Sequence, residues 1–314
     1  MDFLYILIGF GVLVIGANFL VEGASGLAKR FNVSDLIIGL TVVAFGTSTP
    51  ELVVNMVAAS NPDSTDIALT NILGSNTINT FVILGLAALI FPIKSKRSTR
   101  NFDIPLSLLG PLLILLMAFA FDNFMSRFDG FILLLIFVGF IYLMIRRSMK
   151  NPKSVDVMEV KPVKIWLALL MILGGLGALI GGGELIVPSS VRIAESYGIS
   201  KSIIGLTIVA LGTSLPELAT SVVAAFKKNS DIALGNVVGS NIFNVFLVLG
   251  SSAVLRPLPA YNGMIFDILM TAFGSLLILL FVFSNKQRLI KKWHGALLVS
   301  LYVVYIFLVI TKSL

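Results

Sequence analysis

Long apolar stretches separated by short polar ones run along the whole chain of 314 residues. A helix needs about 20 apolar residues to cross the hydrocarbon core of a bilayer, and this length recurs along the chain. The pattern predicts ten membrane-spanning helices, called here spans 1 to 10, over residues 3–28, 35–59, 66–92, 103–121, 129–146, 165–193, 201–226, 231–255, 264–283 and 293–312.

One long polar stretch, RRSMKNPKSVDVMEVKPVK, divides the ten spans into two sets of five. We therefore predict a first five-helix repeat over residues 1–146, a linker over 147–164 and a second five-helix repeat over 165–314. The linker is too short to form a regulatory domain, and we interpret it as a tether.

Two blocks of sequence recur in the two halves. GLTVVAFGTSTPEL at 39–52 matches GLTIVALGTSLPEL at 205–218 at 11 of 14 positions. DIALTNILGSNTINTFVILG at 66–85 returns as DIALGNVVGSNIFNVFLVLG at 231–250. Because an odd number of spans separates equivalent elements, the second copy enters the membrane from the opposite face. Such inverted-topology repeats are typical of secondary transporters, whose ion sites lie near the midplane where interrupted helices meet.

The first block places an ionisable residue inside a membrane span in each half. Glu51 and Glu217 each follow a proline, Pro50 or Pro216. Proline removes a backbone donor and clashes with the carbonyl one turn back, so we expect spans 2 and 7 to break there. Non-helical backbone at membrane depth is tolerated only where it is buried in protein or lines a cavity.

Composition and charge agree with a membrane protein. The chain is 57% hydrophobic and 12% charged, with a mean hydropathy of +1.00. If the spans alternate, 18 of the 23 basic residues lie on the side of the linker, so the positive-inside rule predicts a cytoplasmic linker and two extracytoplasmic termini. The net charge of +7 belongs to these loops, and we predict no nucleic-acid partner. The absence of cysteine excludes disulfides and thiolate metal sites.

The recurring polar residues of both halves define a candidate ion site. Its predicted ligands all offer oxygen, which favours Na⁺, Ca²⁺, Mg²⁺ or Mn²⁺ over Zn²⁺ or Cu⁺. Ca²⁺ suits irregular carbonyl and carboxylate ligands better than Mg²⁺ does. Two glutamates can neutralise one Ca²⁺ or two Na⁺, and competition between these ions is a physical basis for antiport. No cofactor is predicted. The ligand side chains are those of Glu51, Glu217, Thr47, Thr213, Ser48, Ser214, Ser75, Ser240, Asn79 and Asn244.

Other interpretations of these residues remain open. A membrane glutamate can be a neutral structural group, and serine or threonine often bonds to its own backbone. Broken helices with free carbonyls also form channel selectivity filters. An intramembrane enzyme needs a nucleophile with a base, or a metal with an open position, and no histidine or cysteine lies in spans 2, 3, 7 and 8, which carry the recurring blocks. An inverted repeat around one enclosed acidic pair fits alternating access better than a continuous pore, so we favour a transporter and predict no enzymatic activity.

The motifs GTSTPE…GSNTIN and GTSLPE…GSNIFN resemble those of the cation/calcium exchanger superfamily, and most closely those of prokaryotic sodium/calcium exchangers. The resemblance covers the whole chain. It implies an all-α integral membrane protein in which spans 2, 3, 7 and 8 form the core and spans 1 and 6 slide across it. The implied function is Na⁺/Ca²⁺ antiport by alternating access, with H⁺/Ca²⁺ or other cation antiport as the alternative.

The resemblance also implies roles for individual residues. Glu51 and Glu217 correspond to the central Ca²⁺ ligands, joined by backbone oxygens of Thr47 and Thr213. The position of Asn244 is an aspartate in certain sodium/calcium exchangers, so the site here has one carboxylate fewer. The positions that line flanking Na⁺ sites are Ala44, Ala210, Ser48, Ser214, Ser75, Ser240, Asn79 and Asn244.

The partners follow from this interpretation. Ca²⁺ and Na⁺ are the expected substrates, and the lipid bilayer is the expected environment. We expect a monomer in a prokaryotic plasma membrane.

Overall fold

The computed structural model of the protein describes residues 1–31, 34–61, 65–119, 123–150, 163–197 and 210–313. Nearly all of these residues are helical, which confirms the predicted all-α class. Residues 201–209, the predicted start of span 7, and most of the linker lie outside the described part of the chain. The helices are Asp2–Arg30 in span 1, Asp35–Thr47 and Thr49–Ser60 in span 2, Thr65–Ile78, Asn79–Ile83 and Leu84–Ile90 in span 3, Thr99–Asp103 and Ile104–Phe119 in span 4, Arg127–Lys150 in span 5, Ile165–Ser196 in span 6, Ala210–Thr213 and Leu215–Phe226 in span 7, Ser230–Ile242, Phe243–Leu249 and Gly250–Leu255 in span 8, Met264–Phe283 in span 9 and Lys292–Ser313 in span 10.

Most of these helices are long enough to span a membrane. Within the described residues, eight helices have the required length and apolar character, and the bent pair of span 2 makes a ninth. Span 7 contributes a shorter apolar helix, Leu215–Phe226, and its predicted beginning is not among the described residues.

The predicted proline breaks are present. Span 2 bends by 46° between Asp35–Thr47 and Thr49–Ser60, and Ser48 at the joint has φ −82° and ψ 8°. Ser214 occupies the same place in span 7, with φ −86° and ψ 5°. In both spans the proline lies in the first turn of the helix that follows the break. A proline is tolerated there because the missing N–H has no helical partner in that turn.

Spans 3 and 8 each contain a π-helical segment at an equivalent position. These segments are Asn79–Ile83 in span 3 and Phe243–Leu249 in span 8, and the repeat offset of 165 maps residue 79 onto residue 244. Such wider turns inside α-helices occur frequently at functional sites. Both segments lie at predicted ligands, Asn79 and Asn244.

Two short strand ladders show the symmetry between the halves. The strands are β1 (Ile93–Lys94), β2 (Phe124–Met125), β3 (Leu258–Pro259) and β4 (Leu289–Ile290). β1 pairs antiparallel with β4, and β2 pairs antiparallel with β3. The offset of 165 makes β1 equivalent to β3 and β2 equivalent to β4. Exchanging the two halves therefore turns one ladder into the other, as a twofold relation between inverted repeats requires.

Spans 1 and 6 pack against each other through glycine backbones. A Cβ atom added to Gly16 would lie 2.8 Å from the carbonyl oxygen of Gly175, and one added to Gly175 would lie 2.8 Å from that of Gly16. Gly9 and Gly182 show the same reciprocal approach at 2.9 Å. Small residues at such interfaces allow membrane helices to approach closely.

Spans 3 and 8 form the centre of the bundle. In their most apolar segments 78% and 94% of the residues are buried, against 22–44% in the other unbroken candidate spans. The outer helices expose large apolar side chains, including Leu7, Leu135 and Phe307. In a bilayer this outer surface contacts lipid, so the polar side chains of spans 3 and 8 are enclosed by protein.

Candidate ion-binding site

The carboxylates of Glu51 and Glu217 lie in the interior, and each accepts a hydrogen bond from the other half of the molecule. Each residue is 0% exposed and follows a helix break by three residues. Oγ of Ser48 donates to Oε1 of Glu217 at 3.0 Å, and Oγ of Ser214 donates to Oε1 of Glu51 at 3.3 Å. The serine at each break therefore holds the glutamate of the other repeat, and the two acidic groups share one site.

Two further predicted ligands contact this pair unequally. Oγ of Ser240 donates to the same oxygen of Glu217 at 3.4 Å. Ser75, its equivalent in the first half, is fully buried, and its hydroxyl has no hydrogen-bond partner in the described part of the protein. The immediate surroundings of the two carboxylates thus differ although the backbone is symmetric.

Buried oxygen atoms without partners are concentrated in this site. An unpaired buried polar atom costs free energy, and such atoms are rare in folded proteins. A cation bound among them would satisfy several at once, because each offers lone pairs. The amide nitrogen of Asn79 is also unpartnered among the described residues, and a cation would not satisfy that donor. Among the described residues, the site oxygens without a hydrogen-bond partner are Oε2 of Glu51, Oε2 of Glu217, Oγ of Ser75, Oγ1 of Thr213, Oδ1 of Asn79 and Oδ1 of Asn244.

The structure encloses nearly all of the predicted site residues. Thr213 is partly buried, although its hydroxyl oxygen is fully enclosed. Ala210 begins the helix Ala210–Thr213, and its side chain is outside the described part. The buried members are Ala44, Thr47, Ser48, Glu51, Ser75, Asn79, Ser214, Glu217, Ser240 and Asn244.

No ion pair between described residues neutralises the two glutamates. Ion pairs found elsewhere in the described part of the protein include those of Lys96 with Asp231, Arg192 with Asp2 and Lys227 with Glu22. The described residues likewise hold no group of three or more histidine, cysteine, aspartate or glutamate side chains that could bind a metal. The site therefore consists of two carboxylates surrounded by neutral oxygen donors. Buried charge of this kind is costly unless a cation or a proton compensates it.

Asparagines join the two halves around the site, and sequence reasoning recognises them only in part. Nδ2 of Asn76 donates to the backbone oxygen of Asn241 at 3.3 Å, and Nδ2 of Asn244 donates to Oδ1 of Asn76 at 3.1 Å. The sequence leaves a structural role for Asn76 and Asn241 open. No role for Asn236 is predicted from the sequence, although its side chain bonds to both Thr47 and Glu217. Its signal is the recurrence of Asn71 and Asn236 in the motifs DIALTN and DIALGN.

Asp267 in span 9 lies outside the ion site, and its carboxylate accepts hydrogen bonds from two tyrosines. The hydroxyl of Tyr261 donates to its Oδ2 at 2.5 Å, and the hydroxyl of Tyr305 donates to its Oδ1 at 2.8 Å. Tyr305 belongs to span 10, so the carboxylate links spans 9 and 10. The sequence leaves this residue unassigned because span 4 has no aspartate at the equivalent position.

We expect Asp267→Asn to lower thermal stability and leave ion binding unchanged. Hydrogen bonds to a charged group contribute about 1.5–3 kcal/mol each, and the amide would weaken both. Thermal unfolding in detergent and Ca²⁺ titration of the same preparation measure the two effects. Tyr305→Phe, which removes one donor, should show a smaller loss of stability. A changed Ca²⁺ affinity in Asp267→Asn would contradict the structural role.

The fold and the site together define a class of protein. Inverted repeats, helices broken at membrane depth and an enclosed oxygen-lined pair of carboxylates are the features of secondary ion transporters. An enclosed site between two repeats fits alternating access, in which the site opens to one side of the membrane at a time.

Comparison with known proteins identifies the family. The family model described as sodium/calcium exchanger protein matches residues 1–146 and 167–311. The chain belongs to this family, which confirms the resemblance found in the motifs; the family is one of transporters and not of enzymes.

Similar proteins extend over most of the chain. The sodium/calcium exchanger MaX1 of Methanosarcina acetivorans is 32% identical, covering 97% of this chain and 97% of the relative. The inner membrane protein YrbG of Escherichia coli is 35% identical, covering 80% of this chain and 79% of the relative. A solved structure of the sodium-calcium exchanger NCX_Mj, soaked with Na⁺ and Sr²⁺, superposes with a TM-score of 0.83 at 32% identity, covering 97% of each chain. This agreement supports the ten-helix inverted-repeat fold.

Proposed function

We propose that the protein is a secondary active antiporter that exchanges Na⁺ for Ca²⁺ across a membrane by alternating access. The observation that carries the proposal is the convergence of Glu51 and Glu217, from opposite repeats, with neutral oxygen donors in one buried site. Membership of the sodium/calcium exchanger family supports the choice of ions.

We assign the central Ca²⁺ site to the carboxylates of Glu51 and Glu217, with backbone oxygens of Thr47 and Thr213. Oε2 of each glutamate has no hydrogen-bond partner in the described part of the protein and is available as a ligand. Ca²⁺ accepts six to eight oxygens in irregular geometry, which suits this mixed set. For flanking Na⁺ sites we propose the residues around Ala44 and Ala210 together with Ser48, Ser214, Ser75, Ser240, Asn79 and Asn244.

The charge of the site explains exchange in physical terms. Two glutamates carry two negative charges, which one Ca²⁺ or two Na⁺ can neutralise. In a buried environment, neighbouring ions of one sign repel strongly, so occupancy by one species disfavours the other. The number of Na⁺ per cycle then depends on the neutral positions, since asparagine stands at 244.

We propose that spans 1 and 6 move as a pair against the core formed by spans 2, 3, 7 and 8. Reciprocal glycine contacts hold the two spans together at Gly16 and Gly175, which supports motion as one unit. Such a motion would expose the enclosed site to each side in turn.

The arrangement in the membrane completes the proposal. We propose repeats over 1–146 and 165–314, a cytoplasmic tether over 147–164 and extracytoplasmic termini, on the basis of the basic residues in the loops. The likeness to an inner membrane protein of Escherichia coli supports a prokaryotic plasma membrane. We propose that one chain suffices for transport, because a single chain supplies both halves of the site.

The alternative is H⁺/Ca²⁺ antiport, favoured by buried carboxylates that a proton can neutralise in place of Na⁺. Uptake of radioactive Ca²⁺ into proteoliposomes distinguishes the two. Vesicles loaded with Na⁺ and diluted into Na⁺-free buffer should take up Ca²⁺ even when an ionophore collapses the pH gradient. Vesicles loaded with an impermeant cation are the control. Uptake driven only by the pH gradient would establish the alternative.

A further inference from the structure

We propose that Asn236 is a positioning residue of the ion site and that it makes the two halves of the site chemically unequal. This inference rests on the proposed function, because it concerns how the site of Glu51 and Glu217 holds Ca²⁺. Asn236 lies in span 8 and is 0% exposed.

The side chain of Asn236 contacts both repeats. Its Nδ2 donates to the backbone oxygen of Glu217 at 3.2 Å and to Oγ of Ser221 at 2.9 Å. Its Oδ1 accepts from the hydroxyl of Thr47, in the first repeat, at 3.0 Å. A carbonyl oxygen can only accept, so the bond to Glu217 fixes the orientation of the amide. Asn236 therefore joins the turn that carries one carboxylate to the helix break of the opposite half.

This contact determines what the Thr47 hydroxyl can offer an ion. A hydroxyl has one proton and two lone pairs, and only the lone pairs bind a cation. The carbonyl oxygen of Ala44, at 3.3 Å, and the carboxylate of Glu217 are the other acceptors near Thr47 Oγ1. A cation bound to the Glu217 carboxylate leaves Asn236, at 3.0 Å, as the nearest acceptor for the proton, which holds Thr47 in one orientation with its lone pairs toward the cation. Partners of this kind orient metal ligands and tune their affinity.

The first half lacks this arrangement. Asn71 is the equivalent of Asn236, but its Nδ2 donates to Oδ1 of Asn55 at 2.7 Å. The repeat places Ser221 where the first half has Asn55. The side chain of Asn55 is larger than that of serine, and it accepts the hydrogen bond of the Asn71 amide. The hydroxyl of Thr213, the counterpart of Thr47, lies beside the carboxylate of Glu51 and has no asparagine partner among the described residues.

Among the described residues, the site thus has one half that an asparagine orients and one half without such a partner. On the side of Thr47 and Glu217, the ligands are held by Asn236 before an ion arrives, which lowers the cost of ordering them on binding. On the side of Thr213, no asparagine among the described residues holds the hydroxyl. Loss of Asn236 should weaken Ca²⁺ binding without blocking the motion of spans 1 and 6.

The test compares Asn236→Ala with its repeat-matched control, Asn71→Ala. We expect Asn236→Ala to raise both the Kd for Ca²⁺, measured by titration calorimetry in detergent, and the KM for Ca²⁺ uptake by about tenfold, the scale of a lost buried hydrogen bond. The maximal rate should stay within about twofold, because Asn236 is not a ligand. Asn71→Ala should change all three quantities by less than about twofold, because the side-chain amide of Asn71 bonds to Asn55 and not to a predicted ligand.

A double-mutant cycle with Thr47→Val separates positioning from a general structural effect. If Asn236 acts through the Thr47 hydroxyl, Asn236→Ala should add less than about twofold to the Kd of Thr47→Val. Asn236→Ser replaces Asn236→Ala throughout if the alanine variant does not fold.

An unchanged Kd in the Asn236 variant, an equal rise in Asn71→Ala, or additive effects in the cycle would overturn the inference. A wild-type protein that binds Ca²⁺ but does not transport it would instead refute the proposed function, and the Kd values would still decide the role of Asn236.

Discussion

Glu51→Gln and Glu217→Gln are each expected to abolish Ca²⁺ transport while leaving the protein folded. Glutamine preserves the size of the side chain and can still accept from Ser214 or Ser48. It removes one of the two negative charges that face the ion. Removing one partner of a buried charge pair costs about 2–5 kcal/mol, which corresponds to about 30-fold to several-thousand-fold in Kd.

Transport in proteoliposomes measures this effect, and elution as a single species with an unchanged melting temperature shows that the variants are folded. Glu184→Gln is the matched control, because Glu184 is an exposed glutamate in span 6. It should transport at the wild-type rate. Full activity in either Glu51→Gln or Glu217→Gln would exclude the paired carboxylates as the transport site.

Gly175→Val is expected to destabilise the protein and to reduce transport severely. A Cβ atom at this position would lie 2.8 Å from the carbonyl oxygen of Gly16 and 2.8 Å from the amide nitrogen of Leu20. Both contacts are with backbone, so no side-chain rotation relieves them and spans 1 and 6 must separate. Overpacking of a tight interface costs about 1–3 kcal/mol and occasionally more.

Gly174→Val provides the control in the same helix. Gly174 is exposed, and a Cβ atom there would have no neighbour within 4 Å among the described residues. Thermal unfolding in detergent and Ca²⁺ uptake should show a large loss for Gly175→Val and little change for Gly174→Val. Equal behaviour of the two variants would contradict the close contact between spans 1 and 6.

Much of the fold can be predicted from this sequence because the membrane restricts the choices. Apolar runs identify the spans, Pro50 and Pro216 predict the breaks, and the recurring blocks predict the twofold relation of the halves. Span 4 shows the limit of this reasoning. The apolar run predicts its start at residue 103, whereas the helix begins at Thr99. The guanidinium of Arg100 lies 5.4 Å from the centre of the Phe283 ring in span 9. This contact between the cation and the ring allows a charged residue to belong to the first turn of the helix.

The strand ladders and the π-helical segments could not be predicted. Strands of two residues, such as β1 and β4, are too short to show alternation of polar and apolar positions. In a π-helical segment each backbone hydrogen bond spans five residues instead of four. This small change gives no recognisable pattern of polar and apolar residues in the sequence.

For the candidate site, the sequence predicts the residues better than their connections. The repeated motifs identify Glu51 and Glu217, but they do not predict that Ser48 bonds to the glutamate of the other repeat. That contact depends on how the halves meet in space. A comparison of the motifs also does not reveal the asymmetry between Asn236 and Asn71. It arises because their hydrogen-bond partners at equivalent positions of the preceding span differ, Ser221 in one half and Asn55 in the other.

Equilibrium binding of radioactive Ca²⁺ to the purified protein tests the central claim most directly. If Na⁺ and Ca²⁺ occupy the site of Glu51 and Glu217 alternately, Na⁺ should displace bound Ca²⁺ with a steep, cooperative dependence on its concentration, whereas choline at equal ionic strength should not. Glu51→Gln and Glu217→Gln should bind little Ca²⁺ in either salt. Ca²⁺ binding that is insensitive to Na⁺, or that persists in both glutamine variants, would contradict the account.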